Sequence, residues 1–328
     1  MKIIILTEGG SKVGLGHMSR CIALCQAFRR YGQRPLLLIN GDKSIADFVL
    51  GVEFKRFNWL KKKNDTFKML CGSDIVIIDS YLADLDFYKK VSSLTKSAVY
   101  IDDFNRLKYP KGIILNGTVY GKDMPYTKEK DRISLVGPEY VLLRKEFWQK
   151  TAKKYNKNIK SILLTIGGGH LSKNIIHFIK FLQEEYPYHL KNIITGNKLI
   201  KIKDKNTNMM YFATSSKLRK ILLDSDIAIS AGGHTLYELL RIGLPTIGIC
   251  FYKNQLLNLT ALNKLRVIDY LGWYNNRNLF RKLKKSINRM SSYRGRITFS
   301  RIGQSAIDGK GSLRVAKFLI NFSKRIIK

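Results

Sequence analysis

The chain is short of acid. It carries 24 Asp and Glu residues against 59 Lys and Arg in 328 residues, a formal net charge of +35. A small anionic substrate needs only a few cations, so such a substrate leaves most of the excess unexplained. Three readings fit it: a surface that meets anionic lipid or an acidic glycan, nucleic-acid binding, or a lysine-rich codon bias without functional content. The basic residues are spread along the chain, with clusters at Lys61-Lys62-Lys63, Lys153-Lys154 and Arg281-Lys282-Leu283-Lys284-Lys285. No aromatic-and-basic RNA signature, zinc finger or helix-turn-helix pattern accompanies them, so nucleic acid is not the expected partner.

Cysteine is scarce as well. Cys21 and Cys25 stand one helical turn apart, Cys71 and Cys250 stand alone, and no C-x-x-C pair occurs, which argues against a zinc site or a disulfide framework. No H-x-x-x-H or Cys/carboxylate cluster suggests a metal. No apolar run reaches the roughly 18 residues that cross a bilayer. Met1 to Glu8 is too short and too soon acidic for a signal peptide. The expectation is a cytoplasmic monomer, peripheral at the inner membrane face if the charge serves a membrane. Walker A, G-x-G-x-x-G and G-x-S-x-G are all missing, so ATP hydrolysis, NAD binding and a serine nucleophile find no support, and no cofactor is expected.

What is present is a repeated alternation of strand and helix. Hydrophobic residues make up 45% of the chain, and its length suggests two domains of about 150 residues each. In the first half the strand candidates are Lys2–Leu6, Pro35–Ile39, Ile75–Ile78, Ala98–Ile101 and Gly112–Leu115. Helices are predicted over His17–Arg30, Ser44–Leu50 and Leu85–Ser93. Lys122 to Arg132 reads as an exposed loop, Tyr140–Arg144 as a last short element, and Gln149 to Lys160 as a linker. The second half repeats the pattern, with strands at Ser161–Ile166, Ile193–Thr195, Met209–Phe212, Ile227–Ser230 and Thr246–Cys250. Helices are predicted over Lys173–Glu185, over Ser216–Leu223 and from Thr235. Val315, Phe318, Leu319, Phe322 and Ile326 repeat at helical spacing, so the tail is an amphipathic helix. The pattern predicts α/β architecture, with a parallel sheet in each of two doubly wound domains and a ligand cleft between them. The first domain is expected over 1–148 and the second over 149–328, tail helix included.

The loop Gly14-Leu15-Gly16-His17-Met18-Ser19-Arg20 ends the first strand and opens the first helix. Ligands bind there in open α/β sheets. Glycines let a phosphate or sugar approach the backbone, free N–H groups at the helix start favour an anion, and a histidine there moves protons near neutral pH. The bland alternative is a tight turn with a surface histidine. Asp79-Ser80-Tyr81, Asp102-Asp103 and Asn116 fall at later strand ends. Asp79 also reads as a helix cap. Asp102 and Asp103, being adjacent, point different ways: one is structural, the other holds a histidine or a sugar hydroxyl. In the second domain, Gly167-Gly168-Gly169-His170 and Ser230-Ala231-Gly232-Gly233-His234-Thr235 are glycine loops suited to a diphosphate. Glu238, one turn on, suits the paired hydroxyls of a ribose, and Asn254-Gln255 supply amides. His177 and His189 read as structural.

Together these motifs resemble a family. G-x-G-H-x-x-R, D-S-Y, I-D-D, Leu142-Leu143-Arg144-Lys145-Glu146-Phe147, I-G-G-G, S-A-G-G-x-T-x-x-E and N-Q follow one another as in the UDP-2,4-diacetamido-2,4,6-trideoxy-β-L-altropyranose hydrolases of pseudaminic acid synthesis. Those enzymes are similar in fold to the two-domain GT-B glycosyltransferases, including the MurG type. The likeness runs to about Asn258 and returns at Ile307-Asp308-Gly309-Lys310-Gly311. It implies two Rossmann-like domains facing each other across a cleft, with a UDP-sugar as substrate. It implies His17 as the group that activates water for attack on the sugar C1, and Tyr81 beside the reacting sugar. It also implies the Ser230–Thr235 loop at the diphosphate, Glu238 at the ribose, and Asn254 and Gln255 at sugar or phosphate. Gly14, Gly16, Arg20, Asp79, Asn116, Gly168 and Gly169 complete the expected binding set. The chain departs from the pattern at His170, where an acid is usual, and at His234, where a serine is common. With an acceptor hydroxyl in place of water, the same His17 would serve a glycosyltransferase.

Overall fold

The computed structural model describes residues 1–10, 13–46, 48–49, 51–126, 132–166, 172–196, 200, 202–211 and 215–326. The chain divides into two compact units. One is built from the segments before Trp148 together with Gly309–Lys328, the other chiefly from Gln149–Asp308.

The first unit holds a seven-stranded, all-parallel sheet. Its strands are β1 (Ile3–Gly9), β2 (Leu36–Gly41), β3 (Phe54–Arg56), β4 (Ser73–Asp79), β5 (Thr95–Ile101), β6 (Gly112–Asn116) and β7 (Arg132–Val136). They lie in the order β3-β2-β1-β4-β5-β6-β7. Helices α1 (Gly16–Arg30), α2 (Lys63–Leu70) and α3 (Leu85–Leu94) connect them. The central strands are apolar on both faces, as a sheet covered on both sides requires. Ile3, Ile5, Ile75 and Ile77 face one core with Cys21, Leu24, Cys25 and Phe28 of α1. Ile4, Leu6, Val76 and Ile78 face the other with Trp59, Phe87 and Tyr88.

The second unit repeats the winding with six parallel strands: β8 (Ser161–Thr165), β9 (Leu190–Thr195), β10 (Thr207–Tyr211), β11 (Ile227–Ala231), β12 (Thr246–Cys250) and β13 (Asp269–Trp273). Their order is β10-β9-β8-β11-β12-β13. Its helices are α4 (Ser172–Glu185), α5 (Ser215–Asp224), α6 (Thr235–Ile242), α7 (Leu256–Lys264), α8 (Leu279–Arg289) and α9 (Tyr293–Ala306). The last helix, α10 (Gly311–Ile326), follows. Each sheet reverses its winding once, between β1 and β4 and between β8 and β11, and crevices for ligands open at such points.

Four expectations are corrected. The tail helix α10 belongs to the first unit, because Val315, Ala316, Leu319 and Ile320 fill the core beneath α1. Ser44–Leu50 is not a helix over its described part: Lys43–Ile45 makes one 3₁₀ turn. Tyr140–Arg144 forms no regular element beyond the end of the 3₁₀ turn Pro138–Tyr140. Gln149–Lys160 is no free linker, since the Lys153 ammonium donates to the carbonyls of Leu222, Leu223 and Ser225 at the end of α5. Buried Arg296 likewise donates to the carbonyls of Asn156 and Lys157. Among the described residues no helix is long and apolar enough to cross a membrane.

Candidate active site

The site of the first unit is assembled at its switch point. β1 runs into the loop before α1, and α1 begins at Gly16, so His17 and Arg20 lie one turn apart on the face of the helix start that looks toward β4. Gly14 holds a φ of 89°, a conformation glycine adopts without strain. β4 ends at Asp79, in register with Thr7 of β1. Asp79 is fully buried and receives both neighbours. The His17 Nδ1 lies 2.6 Å from its Oδ1. Arg20 donates from Nε to Oδ2 at 2.6 Å and from Nη2 to Oδ1 at 2.9 Å. Burial works against the Asp79 charge, but Arg20 and His17 outweigh it and bring the carboxyl down to about 2.

An ionised carboxylate only accepts, so the 2.6 Å contact puts the imidazole proton on Nδ1. Nε2 is then the basic nitrogen. A carboxylate that fixes the tautomer of a histidine leaves its other nitrogen as the one able to exchange a proton. Asp79 is therefore the partner of the histidine. It is not a helix cap: α3 is capped by Asp84, whose carboxylate accepts from the Phe87 N–H.

Arg20 continues the chain of charge. Its Nη1 donates to both oxygens of Asp103, at 2.7 and 2.8 Å. Burial opposes its charge, yet Asp103 and Asp79 hold the guanidinium well above its ordinary value. Asp103 also accepts the Tyr81 hydroxyl at 2.8 Å. Burial first, and then the Asp103 charge, push the Tyr81 phenol upward, so it remains a donor. The Tyr81 ring stands edge-on to the His17 ring, with centroids 4.3 Å apart. Glu8, 1% exposed at the end of β1, accepts from the Ser80 hydroxyl and from the Tyr81 N–H, both at 2.8 Å.

The two adjacent aspartates do point apart. Asp102 turns inward, accepting from the Tyr109 and Tyr126 hydroxyls and the Arg106 N–H. Burial pushes its carboxyl up. Asn116 belongs to that inner network: its amide donates to the Tyr126 hydroxyl and accepts from Thr118. So His17, Arg20, Asp79 and Tyr81 come together, while Asn116 sits in the adjoining tyrosine cluster. Arg20 directs its donors to Asp79 and Asp103 inside the protein.

In the second unit the loop after β11 opens α6. A Cβ on Gly232 would fall 2.7 Å from the Gln255 Cβ and 2.8 Å from Leu259, whereas one on Gly233 would meet nothing within 4 Å. Gly232 thus lets the loop pack on α7, and Gly233 leaves an open approach to the backbone. The Gly232 carbonyl accepts from the Asn258 amide, which in turn accepts from the Tyr237 hydroxyl at 2.6 Å. Ser230 is buried and donates to the Ala231 carbonyl. His234 precedes α6, Thr235 is its first residue, and Glu238 is buried in its first turn. The Gln255 side-chain oxygen accepts from the N–H groups of Phe251 and Tyr252, and Asn254 is exposed. Gly168, Gly169 and His170 lie outside the described residues.

Sequence reasoning gave no place in the site to Glu8, Tyr237 or Asn258. An acid inside an otherwise apolar strand is the signal that marks Glu8.

This architecture is the GT-B fold of two doubly wound α/β domains. Staphylococcus aureus MnaA, solved with UDP, superposes with a TM-score of 0.67 at 12% identity, covering 100% of this chain and 98% of that one. Acinetobacter baumannii MurG gives 0.62 at 11%, covering 98% and 100%. Residues 151–298 match the glycosyltransferase family 28 C-terminal domain.

Within that class the chain is similar to proteins named for the reaction that its motifs imply. A UDP-2,4-diacetamido-2,4,6-trideoxy-β-L-altropyranose hydrolase of Campylobacter jejuni is 23% identical over 281 residues, 80% of this chain and 97% of that one. A Helicobacter pylori protein named pseudaminic acid cytidylyltransferase and hydrolase of the same sugar nucleotide is 26% identical over 278 residues, 81% and 48%. An uncharacterised Methanocaldococcus jannaschii protein, MJ1062, is 25% identical over 278 residues, 78% and 56%. The chain spans about half the length of these last two relatives.

Proposed function

We propose that this protein is a nucleotide-sugar hydrolase. It cleaves the anomeric C–O bond of a UDP-diacetamido-trideoxy sugar, releasing UDP and the free sugar for nonulosonic acid synthesis. The observation that carries the reading is the His17–Asp79 pair, in which a nearly buried imidazole gives its Nδ1 to the carboxylate and keeps Nε2 for the reaction. In this reading Nε2 takes a proton from water as the water oxygen bonds to C1. The C1–O bond to the β-phosphate breaks, its electron pair leaves with UDP, and the configuration at C1 inverts. UDP is a good leaving group, so one base and an anion-holding loop suffice. The Gly232–Gly233 loop and Glu238 take the diphosphate and ribose, and Tyr81 borders the sugar. The names of the relatives and the UDP held by the S. aureus neighbour support this assignment.

The second reading is an inverting glycosyltransferase, favoured by the family 28 match over 151–298. There the same base would deprotonate a glycan or lipid-linked acceptor, and the basic surface would dock an anionic membrane. A third reading, a basic anion-binding module without catalysis, has only the charge excess behind it. Incubation with the UDP-sugar and no acceptor separates them. Prompt UDP release with free sugar supports the hydrolase. Release only on adding an acceptor gives the transferase, and no turnover with salt-sensitive polyanion binding gives the module.

A further inference from the structure

We propose that Glu8 is a positioning residue for His17, acting through Tyr81. The inference rests on the reading of His17 as the base and extends it to a residue that touches neither imidazole nor substrate.

β1 is buried along its whole length, and it gives one of those positions to a carboxylate. Burying a charge is costly unless hydrogen bonds meet it. Both Glu8 oxygens are spent on the two residues that follow β4: Oε2 accepts from the Ser80 hydroxyl and Oε1 from the Tyr81 N–H. Ser80 Oγ in turn accepts from the N–H groups of Leu82 and Ala83. One carboxylate thus organises the turn from β4 toward α3.

Tyr81 is then held at both ends, its backbone by Glu8 and its hydroxyl by Asp103. Between these two anchors its ring meets the His17 ring edge-on. Asp79 fixes the imidazole proton and one ring edge; Tyr81 limits the tilt of the ring about that bond. Releasing the Glu8 end frees the Tyr81 backbone, and the imidazole loses a wall. Misalignment of a base on the ångström scale lowers turnover by up to about a hundredfold.

The test uses the full chain labelled at its five histidines, with the His17 imidazole resonance assigned from H17Q. The Tyr81 ring current shifts that resonance, so the signal reads the ring pair directly and needs no substrate. E8A and Y81A are each expected to move it the same way, with no further movement in E8A/Y81A. In the same variants kcat for UDP-sugar hydrolysis falls about tenfold to a hundredfold while UDP affinity holds. If E8A does not fold, E8Q serves. It keeps the acceptor for the Tyr81 N–H, removes the one for Ser80, and should move the resonance less in the same direction.

An unmoved His17 resonance in a folded Glu8 variant, or E8A and Y81A shifts that simply add, overturns the proposal. A wild-type protein that releases no UDP overturns the hydrolase reading instead, and the resonance comparison still decides the role of Glu8.

Discussion

The two units wind their sheets in the same order and fill the same topological position with different kinds of polar group. At the switch point of the first, His17, Arg20, Asp79 and Asp103 form a network of ionisable side chains, with buried Glu8 beside it. At the switch point of the second, the loop itself is met by backbone, hydroxyl and amide groups, Ser230, Gly232, Asn258 and Tyr237, with the Glu238 carboxylate buried one turn into α6. On the proposed hydrolase reading, the contrast matches what each task needs. Moving a proton calls for an imidazole with a fixed tautomer, which a carboxylate held on Nδ1 supplies. Holding a phosphate requires close backbone approach and free N–H groups, which small residues at a helix start provide. One fold, used twice, places a network of ionisable side chains and a glycine loop at matching strand ends.

That division can be broken at either end. The largest effect is expected from H17A, which should lower UDP-sugar turnover roughly 10²–10⁴-fold and leave UDP affinity, measured by calorimetry, where it was. Equal losses in both would erase the distinction. D79N comes next. It keeps the shape but can present an N–H to Nδ1 and so favours the wrong tautomer, with an expected loss of about 10²-fold in kcat. Full activity in D79N would remove the pair from the mechanism.

G232A strikes the other unit. The added methyl meets Gln255 and Leu259, an overpacking of about 1–3 kcal/mol. It should weaken UDP binding and leave the His17 resonance in place.

The smallest effect is on acid stability. The Asp79 carboxyl is lowered by its partners, so its contribution to stability is complete above its unfolded value near 4 and is lost as pH falls toward about 2. Between those values D79N should unfold with a flatter pH dependence than the wild type, as followed by circular dichroism.

The loops at the strand ends were legible because glycine, histidine and aspartate interrupt strong apolar runs. Three of the four edge strands were not, β10 being the exception. β3 is Phe-Lys-Arg, β7 follows a polar stretch, and β13 is only half buried. Short edges lack the two-sided apolar signature of central strands. α8 also escaped, being rich in exposed Lys and Arg with a narrow apolar stripe, and so did α9. Within the site, His17 and Asp79 were each visible, but not as a pair, since 62 residues separate them. Arg20 and Asp103 are 83 apart. Parallel sheets make such partners by register across strands, which a single sequence does not display. Glu8 was hidden for a further reason: its work is done on a neighbouring backbone N–H, and every residue type has one.

The placement of α10 carries a consequence for how the protein is made. The core beneath α1 stays open until Val315, Ala316, Leu319 and Ile320 arrive. On the ribosome the unit begun first is therefore completed last, after the intervening α/β unit has emerged and been able to close on its own. A truncation near Asp308 would spare the later-starting unit and leave the amino-terminal one with an exposed apolar floor. The failure would surface as aggregation, far in sequence from the histidine it disables.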